Sequence, residues 1–382
     1  MIAGLVAALG AAAWAYLLTA RGGFWRARER DVPVAHRLVA WPSVCAIVPA
    51  RDEAAVIGDT LASLLAQDYE GDFSIVVVDD HSGDATASLA RTIAYTRRAG
   101  HVRVVSAPPL EPGWTGKLFA VAHGIHVAGD VDLLLLTDAD IRHAPDSLRT
   151  LVARSRARHL VLASRMARLR CESAAERALV PAFVFFFRML YPFTWVNDAR
   201  RATAAAAGGC MLVDRRALAR AGGIAAIRDA LIDDCALARL MKSQGPIELA
   251  LSERVVSTRS YGGYRELRRM IVRSAYTELR HSPWRLAFVV AAMLIVFVAP
   301  PLVALLATGF ARTLSLLAWA AMALAFVPML IFYRRSLLFA PALPAIATAY
   351  LVMTLESALA HVRGRGGEWK GRVHPRRTVG TS

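Results

Sequence analysis

Lysine is nearly absent from this 382-residue chain: Lys117, Lys242 and Lys370 are the only three among 46 basic residues. Cysteine is also scarce. Cys45, Cys171, Cys210 and Cys235 form no CxxC pair and no metal-ligand spacing, which excludes a zinc ribbon and a disulfide scaffold. They are expected as buried thiols in a reducing compartment. There is no P-loop, no internal repeat and no long low-complexity stretch. Charge balance is missing as well. The formal net charge is +16 and the pI about 10.6. Such a balance fits nucleic-acid binding in general, but the arginines gather beside apolar runs, around 21–37, 265–285 and 363–377. Topology determination and attraction to anionic headgroups account for that placement, and no nucleic-acid partner is expected.

Apolar residues are what the chain has in excess: 56% of it is hydrophobic, with a mean hydropathy of +0.40. Four runs, 2–20, 286–308, 314–333 and 337–359, approach the ~20 residues that cross a bilayer as a helix. Arg21, Arg26, Arg28 and Arg30 follow the first run and no positive residue precedes it. An uncleaved anchor over 1–22 is therefore expected, with the following domain in the cytoplasm; a cleaved signal peptide is the competing account. The remaining organisation reads as a mixed domain at 43–285, two to three membrane helices at 286–361, and a basic tail at 362–382. The last run contains Pro341, Pro344 and Glu356, so a kinked, re-entrant or interfacial segment is an open alternative there.

Strand-like and helix-like patterns alternate through the mixed domain. Strands are expected at 44–49, 73–78, 102–106, 133–137, 159–164, 204–213 and 247–256. Helices are expected at 54–67, from 85, and at 117–128, 146–156, 172–191, 233–242 and 263–281. This alternation predicts an α/β fold with a mostly parallel, doubly wound sheet. The run Phe183–Phe187 is too apolar for a solvated helix and reads either as core or as membrane interface.

Acidic residues sit where strands end, and in open α/β sheets ligands bind beyond those ends. Asp79 and Asp80 close the second strand; Asp138 and Asp140 close the fourth. One residue apart, the latter two can share one hard cation, Mg²⁺ or Mn²⁺, which would bridge a diphosphate. After the first strand comes Pro49-Ala50-Arg51-Asp52-Glu53, either a nucleoside pocket or a capping box for the next helix. Gly113-Trp114-Thr115-Gly116-Lys117 opens a helix, where amides and Lys117 favour a phosphate, although a plain turn explains it equally. Asp233-Asp234 starts another helix. One of these acids suits a cap, and the other suits a general base.

In order, P-A-R-D-E, V-V-V-D-D-H-S-G-D, G-W-T-G-K, T-D-A-D, G-G-C-M-L-V-D-R-R and I-D-D resemble family 2 glycosyltransferases of the GT-A fold. The segments 168–173, 181–187, 204–212 and 369–372 resemble bacterial hopene-associated glycosyltransferases; ceramide glucosyltransferases are more distantly similar. The resemblance implies a Rossmann-like catalytic domain, a nucleotide-sugar donor (a UDP-sugar first), a divalent metal, inversion, and a lipid acceptor in a bacterial inner membrane. By position it implies Asp234 as base supported by Asp233. Donor contacts would come from Pro49, Arg51, Asp52, Glu53, Asp79, Asp80, Lys117 and Asp138, and metal contacts from Asp138 and Asp140. Processive synthases of this fold carry Q-x-x-R-W after the base. Here Thr277-Glu278-Leu279-Arg280-His281 keeps only the arginine, which argues against a growing glycan. Arg280 is left either to the donor diphosphate or to ordinary juxtamembrane charge. If Trp369-Lys370-Gly371-Arg372 serves the site, an even number of spans must follow the domain, whereas three runs are present. A lipid-directed nucleotidyl- or phosphoryl-transferase, and a non-catalytic scaffold, are the rival readings.

Overall fold

The computed structural model describes residues 1–32, 38–97 and 100–363. They divide into two compact units. The α/β unit comprises Glu29–Arg170 and Trp195–Arg259. The helical unit comprises Met1–Arg28, Cys171–Thr194 and, among the described residues, 260–363.

Eight strands form one sheet in the α/β unit: β1 Val44–Ala50, β2 Phe73–Asp79, β3 Val102–Ser106, β4 Leu133–Thr137, β5 Ile141–His143, β6 Leu162–Arg168, β7 Cys210–Asp214 and β8 Ile247–Ser257. Their order is β3-β2-β1-β4-β7-β6-β8-β5. β1 runs parallel to β2 and β4, β2 to β3, and β6 to β8. β7 is antiparallel to both neighbours, and β5 to β8. The sheet is thus mixed and mostly parallel, as the alternating pattern predicts. Its central strands are apolar on both faces because both faces are covered. On one face Ile57, Leu61, Leu64, Leu148 and Leu151 pack on Val44, Ala46, Val48, Ile75, Leu133 and Leu135. On the other, helix Gly116–Ala128 sits so close that a Cβ on Gly124 would lie 2.5 Å from Ile47 Cγ2 and 2.9 Å from Val78 Cγ2.

Several element boundaries differ from the sequence expectation, each for a local reason. The helix expected from 54 begins at Ile57, because the amides of Val56 and Ile57 first close a turn on the Glu53 carbonyl. Asp52 therefore does not cap it. The strand expected at 159–164 starts at Leu162, since His159 has a φ of +51°. Residues 204–209 form no strand. There the Ser164 hydroxyl bonds both N–H and C=O of Ala207 in place of a ladder partner.

The helical unit contains four helices long and apolar enough to cross a membrane: Ile2–Thr19, Pro283–Leu306, Gly309–Phe332 and Leu337–Val362. Pro300 lacks an N–H, so the Val296 carbonyl four residues earlier loses its helical donor. The indole of Trp14 donates to that carbonyl at 2.8 Å. Gly10 allows the approach: a Cβ there would meet Pro300 Cγ at 3.3 Å. Helix Ala174–Leu190 begins with a capping box between Ser173 and Glu176. Its aromatic run packs inside this unit, Phe185 on Phe326 and Phe186 on Phe297 and Tyr350. The basic segment expected from 263 is helix Tyr264–Glu278, joined to the last span by an Arg268–Glu356 ion pair at 2.7 Å.

Candidate active site

The loops after β1 and β2 are laced together. Arg51 donates from Nη1 to the Asp80 carbonyl at 2.8 Å and stands 3.6 Å from its carboxylate. Asp52 accepts from the Gly83 amide at 2.7 Å, while its own amide donates to Ser82. Asp52 and His81 both hold positive φ, +51° and +54°. Non-glycine residues in that region are uncommon and concentrate where a loop is held for function. Asp79 and Asp80 are buried, and Asp79 Oδ1 has no hydrogen-bond partner among the described residues. Pro49 and Asp138 line a small cavity of about 20 Å³ together with Leu118, Val121, Leu136 and Leu237.

Lys117 is the centre of charge. Thr115 caps helix Gly116–Ala128 by accepting from the Leu118 amide, which sets Lys117 in the first turn. Its ammonium lies 2.8 Å from Asp138 Oδ1 and 3.0 Å from Asp233 Oδ2. Burial opposes its charge, but the two carboxylates outweigh burial and hold its pKa above the ordinary lysine value. Burial pushes Asp138 up; Lys117 opposes this, and Asp140 and Asp233 add to it.

Asp234 is clamped differently. It accepts from the backbone amides of Cys235, at 2.7 Å, and of Gly208, at 3.1 Å. Burial and the neighbouring Asp233 raise its pKa to about 7, against the pull of Lys117 and the two amides. A carboxylate poised there accepts a proton near neutral pH, which is what a general base requires. Gly208 lies against both groups: a Cβ on it would stand 3.5 Å from Lys117 Nζ and 3.6 Å from Asp234 Oδ2, at ordinary contact distance.

Arg259 is the residue that sequence reasoning misses. It bridges Asp140 Oδ2 and Glu53 Oε1, each at 2.6 Å. The short pairing of β5 with the end of β8 delivers it, with Thr258 bonding the Asp140 carbonyl through both N–H and hydroxyl. Burial works against the Arg259 charge, and Asp140 and Glu53 more than offset it, keeping its pKa above the ordinary value. No local motif flags this arginine, because its partners lie 119 and 206 residues away. Gly208 is likewise outside the site residues that the sequence predicts; the Gly208-Gly209 pair before β7 is its signal there.

The structure therefore gathers Glu53, Lys117, Asp138, Asp140, Asp233 and Asp234 into one network, with Pro49 beside it. Arg51, Asp52, Asp79 and Asp80 sit at the neighbouring strand ends. Arg280 belongs to the helical unit, where it follows helix Tyr264–Glu278 with φ +53°. Trp369-Lys370-Gly371-Arg372 lies outside the described residues. Among the described residues no three His, Cys, Asp or Glu side chains converge as a metal cage.

Comparison with known proteins gives three findings. The chain is 35% identical over 116 residues to an N-acetylglucosaminyltransferase of Rhizobium leguminosarum bv. viciae, a stretch covering 30% of this chain and 26% of that protein. The chain thus matches only about a quarter of the length of that relative. Its fold is similar to that of the mannosyltransferase PcManGT from Pyrobaculum calidifontis, solved in complex with GDP-Man and Mn²⁺. The TM-score is 0.50 at 21% identity, over 93% of this chain and 99% of that one. The model of glycosyl transferase family 21 matches residues 5–365. A match of that extent, on a mostly parallel sheet with strand-end acids, means that the protein belongs to glycosyl transferase family 21 and is a glycosyltransferase of GT-A fold.

Proposed function

We propose that this enzyme moves one sugar from a nucleotide-diphosphate donor, a UDP-sugar first, to a hydroxyl on a polycyclic or polyprenoid lipid, with inversion. The convergence of Lys117, Asp138, Asp233 and Asp234 at the carboxyl end of β4 carries this reading. Four helices of membrane-spanning length support an acceptor that stays in the bilayer. Family membership favours glycosyl transfer over nucleotidyl or phosphoryl transfer. We further place the catalytic unit on the cytoplasmic side of a bacterial inner membrane, where nucleotide sugars are made and where the arginine-rich flanks are retained.

The residues fit a divalent cation. The carboxylates of Asp138 and Asp140 are hard oxygen donors. A resident ammonium already stands at Asp138, marking a place where positive charge is favoured. Mg²⁺ is commonly held by one or two carboxylates plus substrate phosphates, so a complete protein cage is not required. Bound there, such a cation would supply charge stabilisation to the departing diphosphate. Asp138 would hold it directly, with Asp140 kept in place by Arg259.

The chain's own residues do the rest. Arg51, Asp52, Glu53, Asp79 and Asp80 form the wall that would receive the nucleoside. The Asp234 carboxylate takes the proton of the acceptor hydroxyl as that oxygen bonds to the anomeric carbon. The bond from that carbon to the diphosphate oxygen breaks, and the nucleoside diphosphate leaves with the electron pair. Asp234 afterwards returns its proton to water. Asp233 is occupied by Lys117 at 3.0 Å, which leaves the base role to Asp234.

The test uses the full chain in nanodiscs with radiolabelled UDP-sugars and a bacterial lipid extract. Label is expected in an extractable lipid, lost with EDTA and restored by Mn²⁺ or Mg²⁺. Label that stays in water-soluble material across a donor panel contradicts the lipid acceptor.

A further inference from the structure

We infer that Lys117 is a built-in counter-ion that occupies the electrostatic place of the divalent cation until the donor arrives. This deepens the proposed function and rests on its metal-dependent donor site.

Three observations carry it. First, the ammonium is not merely near the acids. It sits between two of them, 2.8 Å from Asp138 and 3.0 Å from Asp233, at distances of charge-assisted hydrogen bonds. Asp138 is the first of the paired strand-end carboxylates, so the lysine and a metal would compete for one oxygen set. Second, the other strand-end acid is also taken: Arg259 holds Asp140 Oδ2 at 2.6 Å. Both carboxylates are thus charge-compensated by side chains. Third, Lys117 is not sealed off. Gly208 flanks it, and even a Cβ there would stand 3.5 Å from Lys117 Nζ and 3.6 Å from Asp234 Oδ2, at ordinary contact distance. The lysine side chain is about a quarter exposed, with its stem on the first turn of a helix.

The physical consequence is an exchange. Without Lys117, Asp138 and Asp233 would repel across a partly desolvated gap. With it, the two carboxylates share a cation held between them, but an incoming dication meets a like charge already in place. Two unit charges a few ångströms apart near a protein surface interact strongly enough to suppress metal binding. A donor diphosphate changes the balance, because it offers the ammonium a new anion as the cation takes Asp138. Metal and donor then bind together better than either binds alone, which is a coupling between two ligands. The metal-free enzyme avoids holding a cation that has no diphosphate to bridge.

The experiment measures Mn²⁺ binding to donor-free protein by electron paramagnetic resonance of the free ion, in wild type, Lys117→Met, Lys117→Gln and Lys117→Arg. Both neutral variants should bind Mn²⁺ about 10- to 100-fold more tightly than wild type, and Lys117→Arg should show no gain. Adding Asp138→Asn to Lys117→Met should remove the gained site. Thermal melts establish that each variant is folded, and the two neutral variants guard against the failure of either. Equal or weaker Mn²⁺ binding in both neutral variants overturns the counter-ion role. Donor binding to wild type with Mn²⁺ is measured in parallel. If wild type binds the donor but the neutral variants gain no Mn²⁺ affinity, only this inference fails. If wild type binds no nucleotide sugar in any panel, the functional reading fails instead.

Discussion

Replacing Asp234 by Asn keeps the shape of the side chain and removes its ability to take a proton. Removing a general base costs typically ~10²–10⁴-fold in rate, and that loss is expected in kcat. The structure also bounds the side effects. Asp234 accepts two backbone amides, from Gly208 and Cys235. An amide side chain retains one carbonyl acceptor and turns an NH₂ toward the other amide, which costs about 1 kcal/mol of stability. The wall at 49–53 and 79–80 that is proposed to receive the donor is untouched, so the donor dissociation constant should stay within about threefold, below the ~1.4 kcal/mol that a tenfold change represents. The wild-type pH profile gives a second reading of the same group. The base works deprotonated, so activity is present above its pKa and is lost as pH falls through it. With the pKa raised to about 7, kcat should fall about tenfold between pH 8 and pH 6; added positive charge at Asp138 would move the midpoint lower. The assay is single-turnover transfer of labelled sugar in nanodiscs, beside calorimetric donor titration. An Asp234→Asn variant turning over within threefold of wild type would refute the assignment.

The other expectations concern neighbouring parts of the chain. Gly124→Val would drive its Cβ into Ile47 and Val78. It should cost about 1–3 kcal/mol or more as overpacking, seen as a lower midpoint in denaturant; an unchanged midpoint contradicts the close packing. Arg259→Lys keeps the charge but loses the fork that spans Glu53 and Asp140, so turnover should fall while the variant remains folded; full activity would make that bridge dispensable. Trp14→Phe leaves the Val296 carbonyl without its indole donor. It should cost about 0.6–1.7 kcal/mol in detergent or bilayer, read by thermal melting of the purified protein, and no change would assign the bond no weight.

Much of the fold was legible because burial on both faces writes itself as continuous apolar runs. Leu133–Thr137, buried along its whole length, appears in the structure with the boundaries that its residues predict, and so does the partly exposed edge strand Val102–Ser106. The acids at 79–80 and 138–140 were legible for a related reason: a carboxylate that follows such a run must lie at the sheet's mouth. What escaped was long-range or backbone-made. Arg259 reaches Asp140 only because a three-residue strand, β5, pairs with β8, and three residues carry no periodicity. The alanines at 204–207 have the composition of a strand yet leave the ladder. Ser164 supplies the hydrogen bonds of Ala207 instead, and the Gly208 amide reaches Asp234. A division of labour between Asp233 and Asp234 is expected from the sequence, but not their partners: Asp233 faces Lys117, and Asp234 accepts two backbone amides.

The most direct measurement is the anomeric configuration of the isolated product. Purified protein in nanodiscs is supplied with an α-linked UDP-sugar and the lipid extract, and the labelled lipid is analysed by mass spectrometry and NMR. A β-glycoside of a lipid alcohol, carrying a single sugar and no phosphorus, is the expected result. An α-glycoside would contradict inversion through Asp234, and a phosphorylated or nucleotidylated lipid would contradict sugar transfer itself.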